Sequence, residues 1–167
     1  MRLRAARPDD VLTILGLIRL LAAFEREPDA VETTAERLHE ALFGATPEAE
    51  ALIVECDGAP AAFALWYQTF STWTGRPGLY VEDVFVLPRY RRRGVGRAIF
   101  SHLAKLAASR GYGRMEWSVL DWNEPAIAFY QRLGAVWHSE WQKYRLTGAA
   151  LEGLAPLTQN SEEQRHG

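Results

Sequence analysis

Cysteine is almost absent from this sequence. Cys56 stands alone among 167 residues, so no disulfide can close within the chain and a cysteine-rich zinc site is excluded. Long apolar runs are missing as well. The stretch from Val11 to Phe24 is interrupted by Thr13, Gly16 and Arg19 and is too short to span a bilayer. No signal-peptide pattern marks the N-terminus, and a soluble cytoplasmic protein with no membrane partner is expected. Nor is there a large excess of one charge. The net charge is −2, which argues against nucleic acid as a partner of the whole molecule. Internal repeats and low-complexity segments are absent.

What is present suits one domain, expected over residues 1–157, with a polar, mobile tail over 158–167. Apolar residues make up 48% of the chain, ample for a core. The charge is unevenly spread: residues 1–60 carry 12 acids against 6 bases, and residues 61–167 carry 9 against 13. Solvated surface explains this, and so does an acidic substrate side facing a basic cofactor side.

The chain is organised around Leu79–Leu106. Leu-Tyr-Val-Glu-Asp-Val-Phe-Val-Leu is apolar, β-branched and aromatic, and reads as a strand ended by Pro88. Val95, Ile99, Leu103 and Leu106 recur at helical spacing. Between them, Gly94 and Gly96 sit within Arg89, Arg91, Arg92, Arg93 and Arg97. A strand, a glycine turn and a helix start leave unpaired N–H groups and a positive helix end facing outward, which is an anion site. Glycine permits close approach, and arginine adds charge-assisted bonds to phosphate. The plain alternative is a glycine turn with a solvated basic face. No Gly-Lys-Ser/Thr follows, so this is not a Walker loop, and the third glycine of a dinucleotide fingerprint is missing.

The remaining pattern predicts a short strand over Leu3–Ala6, a helix from Val11 capped by Asp9 or Asp10, and a second helix opened by a Thr33-x-x-Glu36 capping box. Strands are predicted over Ala51–Cys56 and Ala61–Thr69, joined at Asp57-Gly58, then a loop over Phe70–Gly78. After the central unit come a strand over Arg114–Leu120 and a helix capped by Asn123, with Pro125 in its first turn and Gly134 at its end. Ala135–Glu140 and Gln142–Leu146 read as a last strand pair. The expected fold is mixed α/β, a central sheet flanked by helices.

Glu82 and Asp83 interrupt an apolar strand. Adjacent strand residues point to opposite faces unless a bulge intervenes, and a buried unpaired charge is costly. Pairing with Arg76 or Arg114, or an edge position, would explain them. So would a site that holds a cation and takes its proton. A lysine-like amine has a pKa of about 10.4 in water and must be neutral to attack a thioester, so a base is needed. Glu82 is the candidate. The departing thiolate needs a proton or a hydrogen bond, which the phenol of Tyr130 could give. Packing alone would also account for Tyr130.

Arg91-x-x-Gly94-x-Gly96 after the Glu82-Asp83 strand resembles the acetyl-CoA loop of the GNAT N-acetyltransferases. Asn123-Glu-Pro-Ala-Ile-Ala-Phe-Tyr-Gln-Arg-Leu-Gly-Ala resembles the second signature of their diamine (spermidine/spermine) branch. Ser71-Thr-Trp-Thr-Gly-Arg76 and Leu120-Asp-Trp-Asn123 look more like the thialysine-acetylating sister branch. The resemblance, which covers about residues 3–146, implies the GNAT fold with a mostly antiparallel twisted sheet, and acetyl-CoA as co-substrate with no metal. It implies that the amides and arginines of Arg91, Arg92, Arg93, Gly94, Val95, Gly96 and Arg97 hold the pyrophosphate. Val84, Phe85 and Val86 would pair with the pantetheine arm, and Asn123, Pro125 and Ala126 would contact CoA. Tyr130 becomes the general acid, and Glu82 the residue that handles the amine. Phe24 and Glu25 match a substrate-contacting pair, and Glu140 a substrate-binding glutamate.

Two departures stand out. Glycine is common in the family where this chain has Arg92, and Val136–Trp141 is shorter than its counterpart. Trp73 is expected to line the pocket with Asp83, its ring holding a methylene chain or a cation. Trp66, Trp117, Trp137 and Trp141 are read as packing residues, and a homodimer through the late strands is expected. Besides a small-amine acetyltransferase, a protein lysine acetyltransferase and a non-catalytic acyl-CoA-binding module remain open.

Overall fold

The computed structural model describes residues 1–154; the expected tail over 158–167 lies outside them. The chain divides into two compact units, residues 1–133 and 134–167.

The first unit is built on one sheet in the order β1 (Arg2–Ala5), β2 (Glu50–Cys56), β3 (Ala59–Ser71), β4 (Arg76–Val86) and β5 (Met115–Trp117). The first four strands are antiparallel; β5 is parallel to β4, as its connection through a helix requires. Alternation sorts the side chains into two cores. Leu52, Val54, Ala62, Ala64, Leu79 and Val81 meet α3 (Val95–Ser109) through Val95, Ile99 and Leu103. Ile53, Phe63 and Phe85 meet α1 (Val11–Phe24) and α2 (Ala35–Phe43) through Ile14, Leu17, Leu38 and Leu42. Each helix brings one apolar stripe to the sheet. The unit closes with α4 (Glu124–Arg132).

Local signals set most boundaries. Asp57 and Gly58 take φ of 55° and 79° and form the β2–β3 turn, the left-handed pair that suits the twist of a hairpin. The cap of α2 lies one residue later than the capping box predicted: the Thr34 hydroxyl, not that of Thr33, accepts from Arg37 N at 3.3 Å. Asp10 precedes α1 without capping it. Its carboxylate instead accepts from Arg7 N at 2.8 Å and pairs with Arg4.

Two expectations are corrected. The predicted loop over Phe70–Gly78 is mostly strand: Phe70 pairs with Pro77 and Thr69 with Gly78. Gly75, at φ 63°, makes the turn. Gly78 is glycine for another reason, because a Cβ there would stand 2.8 Å from Thr69 Oγ1. In the second unit the predicted strands Ala135–Glu140 and Gln142–Leu146 do not form. The segment has strand-like residues but pairs with no ladder, and strand propensity without a partner does not make a sheet. It leads into a short helix, α5 (Gly148–Glu152), and Trp137, Trp141 and Tyr144 are exposed.

Candidate active site

The site begins with a fault in the β3–β4 ladder. Leu65 pairs with Asp83 and Trp66 with Val81, leaving Glu82 as an extra residue on β4. A bulge of this kind re-aims the side chains beyond it. Leu79 and Val81 face the α3 core before it; Val84 and Val86 do so after it, and Phe85 joins the α1/α2 core. Unbroken alternation would have put Asp83 and Phe85 with α3. With the bulge, Glu82 and Asp83 both lie on the α1/α2 side.

The electrostatics follow from that placement. Burial first, then the charges of Glu82 and Glu25, push Asp83 up to about 6. Burial also raises Glu25, just past the end of α1. Tyr67 is raised by burial, then by the charge of Glu82. Its ring lies 5.3 Å from that of Tyr80, whose hydroxyl meets Ser118 Oγ at 2.7 Å. Among the described residues neither Glu82 nor Asp83 is in an ion pair with Arg76 or Arg114, and Arg114 pairs with Glu116 at 2.8 Å. Among the described residues, no three His, Cys, Asp or Glu side chains converge as metal ligands would.

Tyr130 stands where two strands part. β5 pairs with β4 only from Leu79 to Val81, the last pair being Val81 with Trp117. Beyond it, among the described residues, the β5 side of residues 82–86 has no strand partner. Such an edge can pair with an extended amide-bearing chain. The Tyr130 ring lies 5.1 Å from Trp117 and 5.4 Å from Phe100. Burial, then the charge of Glu25, pushes its phenol up to about 12. The hydroxyl therefore keeps its proton through neutral pH. Its helix is fixed by Asn123, whose Oδ1 accepts from Ala126 N at 3.4 Å, with Pro125 and Ala126 in the first turn.

The arginine loop runs from a single 3-10 turn at Pro88–Tyr90 to α3. Thr34 and Asn123 cap α2 and α4, but Gly94, at φ 81°, offers no side-chain cap to α3. The first amides of α3 are left for an anion. Arg91, Arg92, Arg93 and Arg97 are exposed. Arg91 donates from Nε to the Val86 carbonyl at 2.9 Å and stacks on Phe24; Arg93 pairs with Asp57 at 3.3 Å. Val95 is 2% exposed, so only its backbone can face a ligand. Gly96 serves packing, since a Cβ would stand 3.3 Å from Phe129 Cζ. Arg92 takes φ 59°, the conformation that the common glycine would accept without strain.

Phe24 joins these parts. Its ring lies 6.4 Å from Phe85 and 5.9 Å from Trp122. Trp73 is not with them: it sits in the β3–β4 turn, and Asp83 lies seven positions along the strand from Arg76, roughly 23 Å at the usual rise. Glu140 lies in the second unit, where it meets His138 Nδ1 at 3.0 Å.

The profile of the acetyltransferase (GNAT) family matches residues 15–135. The chain belongs to the GNAT acetyltransferase family. A thialysine N-epsilon-acetyltransferase of Mus musculus is 37% identical over 165 residues, covering 92% of this chain and 96% of that protein. An L-ornithine N5-acetyltransferase of Arabidopsis thaliana is 30% identical, covering 93% of this chain and 88% of that one. The solved structure of an integron cassette protein from the mobile metagenome of V. cholerae superposes with a TM-score of 0.77 at 23% identity, over 92% of this chain and 96% of that one. This likeness shows the fold.

GNAT acetyltransferases draw their acetyl group from acetyl-CoA, and the loop, the open strand edge and Tyr130 fit that molecule's phosphates, amide-bearing arm and thioester in order. Tyr67, Tyr80 and Trp122, which the structure brings beside these residues, were not assigned to the site from sequence. Trp122 lies inside the Leu120–Asn123 motif, which was a usable signal. Tyr67 and Tyr80 gave none, because their meeting depends on the β3–β4 register.

Proposed function

We propose that this acetyltransferase acts on the primary amine of a small cationic acceptor, a diamine, a polyamine or a thialysine-like amino acid. The observation that carries this reading is the bulge at Glu82. It turns two carboxylates to one side of the sheet, facing Glu25, next to the point where β4 and β5 part. Asp83, raised by burial and by the charges of Glu82 and Glu25, makes a poor resting surface and a good ammonium site. The relatives acting on thialysine and ornithine support the same substrate class.

In this reading the ammonium settles among Glu82, Asp83 and Glu25, and Glu82 takes one proton directly or through water. The neutral nitrogen adds to the thioester carbonyl, the C–S bond breaks, and the amide nitrogen loses its second proton. One proton ends on the CoA sulfur and one in solvent. Tyr130 donates to the sulfur as charge develops there. With its pKa at about 12 in the absence of substrate it is a hydrogen-bond donor first; a bound cation that neutralises Glu25 makes it a stronger acid.

The experiment is a free-thiol assay of CoA release against diamines, polyamines, thialysine, lysine and lysine peptides. Turnover confined to peptides would move the protein to the protein-acetylating class. Acetyl-CoA binding with no turnover on any amine would make it a binding module. A homodimer using the exposed Trp137, Trp141 and Tyr144 belongs to the same reading, and light scattering that finds a monomer at micromolar concentration would reject it.

A further inference from the structure

Just past the end of α1 stands a cation, Arg26. The helix ends in a Schellman arrangement: Arg26 N donates to Ala23 O at 3.2 Å and Glu27 N to Ala22 O at 2.9 Å. The residue after the cap in this motif must be left-handed, which is why glycine usually fills it. Here it is Arg26, at φ 68°. A non-glycine residue held there is strained by about 1–2 kcal/mol, and such strain gathers at functional sites.

The side chain that this position carries is not in an ion pair among the described residues. Its guanidinium lies 4.5 Å over the ring of Trp122. Trp122 is 5.9 Å from Phe24, and Phe24 is 6.4 Å from Phe85, two residues beyond Asp83. Arg26 is therefore parked on an aromatic wall that leads to the acid cluster, next in sequence to Glu25. Stacking fixes the plane of a guanidinium and leaves its edge N–H groups free. From acids to rim, the polarity changes from negative to positive.

We infer that Arg26 is the residue that selects acceptors carrying a carboxylate at the end remote from the reacting amine. The inference rests on the small-amine reading above and narrows it. An amino acid with a side-chain amine places its ammonium among Glu25, Glu82 and Asp83 and its carboxylate at the rim, where the guanidinium edge bonds it in bidentate fashion. A diamine or polyamine places a second ammonium beside Arg26, and like charges there disfavour it.

The test compares kcat/KM for thialysine, its methyl ester and a diamine of equal length, in the wild type, Arg26→Gln and Arg26→Lys. The wild type is expected to favour the free acid. In Arg26→Gln the acid-over-ester ratio should fall about 10- to 100-fold, the worth of one charge-assisted contact. Activity on the diamine should hold or rise, and Arg26→Lys should recover part of the ratio. A structural role for Arg26 would lower all three substrates together and overturn the inference. So would a wild type that prefers the ester or the diamine, a result that leaves the small-amine reading standing. If none of the three acceptors releases CoA, that reading falls, and the Arg26 assignment with it.

Discussion

Asp83 and Arg91 lie eight residues apart on β4 and its continuation, in regions built on opposite terms. The arginine loop is exposed, its cations spread over aromatic faces, a carbonyl and Asp57. The bulge sets an exposed Glu82 beside a half-buried Asp83, which burial and the charges of Glu82 and Glu25 raise to about 6. On the reading proposed above, the difference follows from the ligands. A phosphate is charged at any working pH, so a surface of amides and guanidiniums can hold it. An ammonium must be held and then stripped of a proton, which calls for groups whose proton affinity burial has changed. The loop is therefore expected to tolerate changes of charge, and the bulge to respond sharply to pH.

The largest effect separates the residues in the buried region. Tyr130→Phe removes one hydroxyl and should lower kcat by roughly 10²–10⁴-fold, with acetyl-CoA binding retained. The variant has no phenol proton to give at any pH, so raising the pH should not restore the rate. Glu82→Gln should also lower turnover at neutral pH, yet recover partly at high pH, where free amine is abundant. Profiles of kcat against pH for both variants decide it. Near wild-type turnover by Tyr130→Phe would return that residue to packing among Phe100, Trp117 and Phe129.

On the loop side, Gly94 is the position where backbone outweighs charge. It takes φ 81°, and a Cβ there would meet nothing within 4 Å, so a side chain fits in space but not in conformation. Gly94→Val should strain the turn by about 1–3 kcal/mol and move the first amides of α3. Calorimetry should find acetyl-CoA binding lost while the fold persists by circular dichroism. Unchanged affinity in a folded Gly94→Val variant would remove the loop from the phosphate site.

The two regions were not equally legible in the sequence. The loop is local: glycines, arginines and a helix start within nine residues announce an anion site, and Gly94 does what that pattern requires. The bulge is not. Glu82 and Asp83 were visible as oddities in an apolar strand, but their common side depends on a register slip against β3, set by residues more than fifteen positions away. Tyr67 was unreadable for the same reason. Trp73 misled because its position next to the strand in sequence is the far end of a long hairpin in space. The missing late strands failed in the same way, for their pattern specifies extended chain and says nothing of a partner.

Asp83 also gives the comparison a thermodynamic form. Its folded pKa of about 6 lies above the usual carboxylate value of 3.8, so the folded state binds the proton more tightly than the unfolded chain. The stabilisation is full below about pH 4, is lost as pH rises through 6, and is level above that. Asp83→Asn removes the titration. The variant should be more stable than wild type at pH 7–8 by about 1–3 kcal/mol, with the gap closing toward pH 4, while its KM for the amine rises. Denaturant melts from pH 4 to 8 measure it. A variant less stable than wild type at pH 8 would mean that the carboxylate is satisfied in the fold and not held there for a ligand.

Arg92 gives the smallest effect and the closest test of the tolerant side. Its φ of 59° strains an L-residue by about 1–2 kcal/mol, and glycine would relieve that while giving back about 0.5–1 kcal/mol in chain entropy. Arg92→Gly should therefore be more stable by about 0.5 kcal/mol, the balance of those two effects. The same change deletes an exposed cation beside the phosphate site, so acetyl-CoA should bind a few-fold more weakly, and more so at low salt, where screening is least. Stability and affinity would then move in opposite directions, as for Asp83→Asn but on a smaller scale. Affinity that does not respond to salt would show that Arg92 points away from the phosphates, leaving the amides of α3 and the neighbouring arginines to hold them.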